Sequence, residues 1–364
     1  MILISPTILD LIEAVVRAYY SRKFSERTLM SEVRSQDFKI IVPVYNSSTF
    51  IEDTLKKLWK YKDKVIVVDD CSTDDTVEKV RKMGFYVITS PDNGKKVGAI
   101  LRGLCRVRTK YVVVMDSDSW IEEGDLERLV GVMEKEGLDA CAVRVLPEGD
   151  GILSELQYIE YLKAMRLGRR SMDGDKPLVP CVSGAFGVFR TDLLWKVTVD
   201  QINNGMVWEG EDFERTLRII ERGGRVGYVD DFIVRTKCPT SLRDLIKQRI
   251  CWSHGYIRVH FMFHKFLKRR DKLGLTFLYN FILNIFLHPL KLIFLIFLFL
   301  DPLRVLLPFF SFYIILEYII LRYYHIGGEK YRKKYILLVP FYNLFLLFVR
   351  TLGYLRYIIV KFSR

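Results

Sequence analysis

The chain has 364 residues, half of them hydrophobic, with 56 Lys or Arg against 43 Asp or Glu and a net charge of +13, enough length for one sizeable core plus an appended module. The basic excess does not indicate nucleic-acid binding, because residues 261–364 hold 16 basic against 4 acidic residues and leave residues 1–260 nearly neutral; no nucleic-acid motif accompanies it, and membrane flanks select the same excess. Cys71, Cys105, Cys141, Cys181, Cys238 and Cys251 form no C-x-x-C pair and no cluster with histidine, which excludes a zinc-site reading and suits small core residues of a reduced compartment.

Ile2 to Tyr20 is apolar but carries Asp10, Glu13 and Arg17. Its uncharged stretch is short for a span of roughly 20 residues, and it lacks a signal peptide's basic start and cleavage site. It reads as an amphipathic membrane-surface helix within a segment 1–36.

From Phe38, short β-branched runs alternate with helix-like stretches. Lys39–Val44, Val65–Val68, Tyr86–Ile88 and Tyr111–Met115 read as buried strands, and Phe50–Tyr61, Asp75–Lys82, Lys95–Val107 and Glu122–Glu136 as helices between them. The pattern predicts a doubly wound, mostly parallel α/β sheet, with ligands at the carboxyl ends of its strands. A helix is expected around Ile152–Leu167, an apolar stretch over Leu178–Phe189, a helix over Glu211–Glu221, a strand pair Val226–Val229 and Phe232–Thr236, and a further helix from Ser241. The catalytic segment is placed at 37–240 and interfacial helices at 241–273. An all-α transmembrane domain of about three spans follows at 274–364, with Leu275–Leu300, Leu303–Leu321 and Tyr335–Val360 as the spans. The basic clusters Lys265–Lys272 and Lys330–Lys334 put the globular part on the cytoplasmic side of the cell membrane.

The strand ends carry the chemistry. Asp116-Ser117-Asp118 follows Tyr111–Met115, and alternation along an extended chain aims both carboxylates to one face with Ser117 turned away. Two such oxygens suit a hard Mn²⁺ or Mg²⁺ that keeps positions for phosphate oxygens. A diphosphate leaving group carries about two negative charges and needs such neutralisation. Asp69 and Asp70, after the second strand, are assigned to a nucleoside, and Ser72, Thr73 and Asp74 to capping the next helix. In Asn93-Gly94-Lys95-Lys96 a turn enters a helix N-terminus, and Lys95 is taken as the phosphate partner.

Val42-Pro43-Val44-Tyr45-Asn46, Val68-Asp69-Asp70-Cys71-Ser72, Asn93-Gly94-Lys95, Asp116-Ser117-Asp118 and Glu211-Asp212 occur in the order and approximate spacing of family 2 glycosyltransferases of the GT-A fold. The resemblance covers about residues 38 to 260, and the membrane part is similar to a shortened cellulose-synthase or hyaluronan-synthase plan. More similar still are small archaeal membrane mannosyltransferases acting on dolichyl-phosphate-linked acceptors. The resemblance implies that Pro43, Tyr45, Asn46, Asp69 and Asp70 line the nucleoside pocket, that Asp116 and Asp118 bind the metal, and that Asp212 is the catalytic base with Glu211 beside it. Ser183-Gly184 resembles the acceptor-pocket segment. Gln248-Arg249-Ile250-Cys251-Trp252 resembles the Gln-x-x-Arg-Trp motif with Cys251 in the arginine's place. Trp252 keeps a stacking surface for an acceptor sugar, and Arg249, three residues away on a helix, is a partial substitute for the arginine.

The implied activity is inverting, metal-dependent transfer of a hexose, mannose from GDP-mannose first, to a polyprenyl-phosphate or polyprenyl-linked sugar acceptor in glycan synthesis such as protein N-glycosylation. Its partners are a nucleotide-sugar donor, a lipid-linked acceptor, the bilayer and other glycan-pathway enzymes, with no nucleic acid. The alternatives are a processive polysaccharide synthase and a catalytically silent scaffold that only binds nucleotide sugar.

Overall fold

The computed structural model describes residues 33–205, 209–286, 311, 314–315 and 333–362. Of these, residues 33–148 and 172–237 form an α/β unit, and residues 149–171 with those from 238 onward form a helical unit.

The α/β unit is built on an eight-stranded mixed sheet of order β3-β2-β1-β4-β7-β6-β8-β5. Strands β1 (Phe38–Val44), β2 (Val65–Asp69), β3 (Tyr86–Thr89) and β4 (Tyr111–Met115) are mutually parallel. Helices α1 (Ile51–Lys57), α2 (Thr76–Lys82) and α3 (Lys95–Leu104) are the connections between them. All residues of β2 and β4 are buried, which is why they read as unbroken β-branched runs rather than alternating ones. Val44 is level with Asp69, so the loops after β1 and β2 open at one edge of the sheet.

Beyond β4 the sheet departs from the expected pattern. The helix expected from Glu122 is preceded by strand β5 (Ser119–Glu123), antiparallel to β8 (Val226–Lys237). Helix α4 (Leu126–Glu136) starts only where the Asp125 carboxylate accepts the N–H groups of Glu127 and Arg128 at 2.9 and 3.4 Å. The expected strand pair over 226–236 is the single strand β8, parallel to β6 (Ala140–Glu148). Its register jumps from Val143↔Val229 to Arg144↔Ile233. The extra residues form a bulge rather than a turn because Asp230 folds inward, accepting from Arg144 at 2.6 and 3.1 Å and from the Tyr228 hydroxyl at 2.7 Å. Strand β7 (Phe186–Arg190) runs antiparallel to β4 and closes the gap between the two halves of the sheet.

In the helical unit, α5 (Ile152–Lys163) continues into a wider turn over Ala164–Arg169. Helices α8 (Leu242–Met262) and α9 (Lys272–Phe281) begin at the side-chain caps Ser241 and Asp271. Leu156, Ile159 and Leu162 of α5 and Leu245 of α8 share a core with Val339, Tyr342 and Leu346 of α10 (Val339–Phe362). Lys334–Lys361, 28 residues of mean hydropathy 1.8, is long and apolar enough to cross a membrane, and it is the one such helix among the described residues. The sequence predicts about three spans. All of Leu303–Leu321 but residues 311 and 314–315, most of Leu275–Leu300 and the N-terminal Ile2–Tyr20 segment lie outside the described residues.

Candidate active site

The loops after β1, β2 and β3 are bound to one another by side chains. Asn46 accepts the Thr73 N–H at 2.8 Å, and its own N–H donates to the Ser72 hydroxyl at 2.9 Å. The Asp69 carboxylate accepts the Ser72 N–H at 3.1 Å. Asp70 accepts the Gly94 N–H at 2.8 Å and Arg102 at 3.4 Å. Burial pushes the Asp70 carboxyl above its ordinary range, against the opposing pull of Gly94 and Arg102. Asn46, Cys71 and Lys95 have φ of 49°, 68° and 55°. They are the non-glycine positive-φ residues among those described, and such strain gathers where surrounding structure fixes a functional loop. Pro43 is buried in β1, whereas Tyr45 is 54% exposed.

Asp116 leaves β4 with its N–H donating to the Ala185 carbonyl at 3.1 Å. Ser117 turns the other way, its hydroxyl 2.8 Å from that of Ser47 and its carbonyl accepting from Thr54 at 2.7 Å. Asp118 accepts hydroxyls from Ser119 at 3.2 Å and Thr236 at 3.4 Å. Opposite them, α7 (Glu211–Glu221) starts with Glu211 and Asp212. Asp212 accepts the Gly184 N–H at 2.9 Å and the Phe213 N–H at 2.7 Å.

Lys96 occupies the middle of these groups. Its ammonium lies 2.5 Å from Asp116, 3.5 Å from Glu211 and 3.0 Å from the Gly184 carbonyl. Lys95, the lysine favoured by the sequence, is exposed. Sequence reasoning missed Lys96: on a helix, adjacent lysines point about 100° apart, so only one of the pair can face the strand ends, and which one depends on the helix phase. Burial opposes the Lys96 charge, but Asp116 and Glu211 outweigh it and hold the ammonium above its ordinary range. Burial likewise raises the carboxyls of Asp116, Asp118 and Glu211, with Lys96 pulling each of them back. A Cβ at Gly184 would lie 2.8 Å from the Lys96 Nζ, the tip of a flexible side chain, and 3.4 Å from the Glu211 carboxylate.

Two carboxylates thus contact one ammonium, the charges of Asp118 and Asp212 act on Asp116 beside it, and the donor set is hard oxygen. No three His, Cys, Asp or Glu side chains gather into a metal cage among the described residues. The carboxylates of Asp116 and Asp118, two residues apart after β4, are oxygen donors of the kind that a hard divalent ion accepts.

Residues 39–198 match the sequence profile of glycosyl transferase family 2. The chain carries a family 2 glycosyltransferase domain. Among relatives, a poly-β-1,6-N-acetyl-D-glucosamine synthase of Staphylococcus aureus is 27% identical over 225 residues, covering 59% of this chain and 53% of the relative. The uncharacterized glycosyltransferase YaiP of Escherichia coli is 28% identical over 239 residues, 60% of this chain and 57% of its own length. The chain spans about half the length of these curated relatives. A mannosyltransferase from Pyrobaculum calidifontis, solved with GDP-Man and Mn²⁺, shares the fold over 97% of each chain with a TM-score of 0.61 at 14% identity.

The remaining motif residues lie beyond the matched residues and belong to the helical unit. The Arg249 guanidinium donates to Glu160 at 2.7 Å and to Gln248 at 2.9 Å, and lies over the Trp252 ring at 4.1 Å. Tyr342 donates to the same Glu160 oxygen at 2.8 Å. Arg249 is thus engaged in an ion pair of its own unit, while Trp252 stays 46% exposed. Cys251, in the family arginine's place, receives a hydrogen bond from Arg356 at 3.5 Å.

Proposed function

We propose that this chain is an inverting, metal-dependent hexosyltransferase that moves a sugar from a nucleotide-diphosphate donor to a polyprenyl-phosphate-linked acceptor. The observation that carries the reading is the single cluster in which Asp116 of the donor motif, the Ser183-Gly184 turn and the Glu211-Asp212 helix start meet around Lys96. Donor-side and acceptor-side groups are within one side chain's reach.

A divalent ion on Asp116 and Asp118 would neutralise the departing diphosphate. Pro43, Tyr45, Asn46, Asp69 and Asp70 are assigned to the nucleoside. Asp212 is assigned to the base, with both its oxygens oriented by backbone N–H groups, so that it takes the proton of an acceptor hydroxyl attacking from the face opposite the diphosphate. Inversion follows from that geometry. The exposed Trp252 ring is a stacking surface for an acceptor sugar. The apolar helix Lys334–Lys361 supports attachment to the cell membrane, with the catalytic unit on the cytoplasmic side. Mannose from GDP-mannose, the donor bound in the Pyrobaculum neighbour, is put first.

The likeness to staphylococcal poly-β-1,6-N-acetyl-D-glucosamine synthases favours a second reading, a processive synthase using an N-acetylglucosamine donor. One experiment tests both. Labelled nucleotide sugars are incubated with the chain and membrane lipid extract, with and without chelator. Transfer of one sugar to extractable lipid, abolished by chelator, is the expected result. A long polymer selects the second reading, and transfer unchanged by chelator removes the metal role.

A further inference from the structure

The Lys96 ammonium has three N–H donors and three acceptors around it: Asp116 at 2.5 Å, the Gly184 carbonyl at 3.0 Å and Glu211 at 3.5 Å. Two of the three are carboxylates on different elements, one after β4 and one at the start of α7. The lysine lies in the first turn of α3, on four methylenes that let its head move by several ångströms while the helix stays in place. Its head therefore sits where a cation is needed, on a stem that can withdraw.

We propose that Lys96 is the resident counter-ion of Asp116 and surrenders that carboxylate to the divalent metal, so that ammonium and metal compete for one position. This rests on Asp116 and Asp118 being the metal carboxylates. Mg²⁺ binds a carboxylate oxygen at about 2.0–2.1 Å, and an ammonium 2.5 Å from Asp116 Oδ1 competes with such an ion for that oxygen. Without metal, the lysine keeps four crowded carboxylates from repelling one another. With metal, the Gly184 carbonyl and Glu211 still hold the ammonium on the acceptor side. A second cation stays with α7 throughout: Arg215, 1% exposed, whose Nε and Nη2 make no hydrogen bond and whose charge acts on both Glu211 and Lys96. Its presence allows Lys96 to leave Asp116 without leaving Glu211 uncompensated.

The test is Mn²⁺ titration of the purified full chain without nucleotide sugar, read by the spin-resonance signal of free Mn²⁺. Asp118→Asn identifies which binding belongs to this site. Lys96→Gln is expected to bind that Mn²⁺ about tenfold more tightly than the unmodified chain, because the competing charge is gone. Lys96→Arg, which keeps the charge, is expected to bind no more tightly than the unmodified chain. Gly184→Ala provides a second variant that retains the lysine. Its Cβ, 2.8 Å from the Nζ, crowds the ammonium and is expected to shift affinity in the same direction as Lys96→Gln, by less. Affinity unchanged or weakened in Lys96→Gln overturns the proposal, and so does an unchanged Gly184→Ala if Lys96→Gln fails to fold. If the unmodified chain and Asp118→Asn bind Mn²⁺ identically, the metal reading itself is wrong and the competition falls with it.

Discussion

The Gly184 N–H donates to the Asp212 carboxylate at 2.9 Å, joining the turn before β7 to the start of α7. With the Phe213 N–H on the other oxygen at 2.7 Å, this fixes the plane of the one carboxylate assigned to proton transfer. Asp212→Asn should leave the fold intact, since the amide oxygen still accepts one of these bonds. It should lower kcat about 10²- to 10⁴-fold on a lipid-linked sugar acceptor, with little change in donor KM. On a plain lipid phosphate, already ionised near neutral pH, the loss should be small. Comparing the two acceptors in one membrane preparation checks the base and identifies the acceptor.

Asp70 fastens the turn that presents α3. Replacing it with Ala orphans the buried Gly94 N–H and leaves Arg102 with Asp92 as its remaining carboxylate, at a cost of about 1–3 kcal/mol. Asp70→Asn keeps an acceptor for Gly94 and avoids burying a charge, so thermal unfolding should place it much nearer the unmodified chain. That makes the Asn variant suitable for measuring donor affinity without disturbing the loop.

The parallel half of the sheet was legible because strands buried on both faces show up as uninterrupted Val and Ile, as in Val65–Asp69 and Tyr111–Met115. The antiparallel half was less so. Asp230-Asp231 looked like a turn because two acids rarely sit inside a strand, yet Arg144, far away in sequence, neutralises Asp230 and makes one bulged strand of it. Strand β5 was hidden because Ser119–Glu123 has no apolar run of its own and is recruited by β8. In the site, Asp116 and Asp212 could be read from local motifs. Lys96 could not be told from Lys95 without helix phase, and the ion pair of Arg249 with Glu160 depends on contacts between helices distant in sequence.

That pair gives a stability prediction for the helical unit. Arg249 is 4% exposed and shares Glu160 with Tyr342. Glu160→Ala strands a buried guanidinium and should destabilise the unit by about 2–3 kcal/mol, less than for a fully buried pair because a quarter of Glu160 is open to solvent. The double variant Glu160→Ala, Arg249→Met should recover much of the loss. Denaturant unfolding of the two variants checks the coupling; equal losses in single and double variants would mean that the pair does not act as a unit.

His260 gives the pH dependence. It is fully buried in α8, between the rings of Tyr256 at 4.1 Å and Phe277 at 4.3 Å. Burial pushes its pKa from 6.5 down to about 4, against the pull of the Tyr256 carbonyl. Between those two values the unfolded chain binds a proton that the folded chain does not, so stability is constant above 6.5 and falls as the pH drops through that window. At pH 5 the loss should be on the order of 1–2 kcal/mol relative to pH 7. His260→Phe keeps an aromatic ring between the same neighbours and removes the titrating group. It should therefore flatten this part of the profile, which unfolding curves at pH 5 and pH 7 will show as a smaller difference in midpoint than in the unmodified chain.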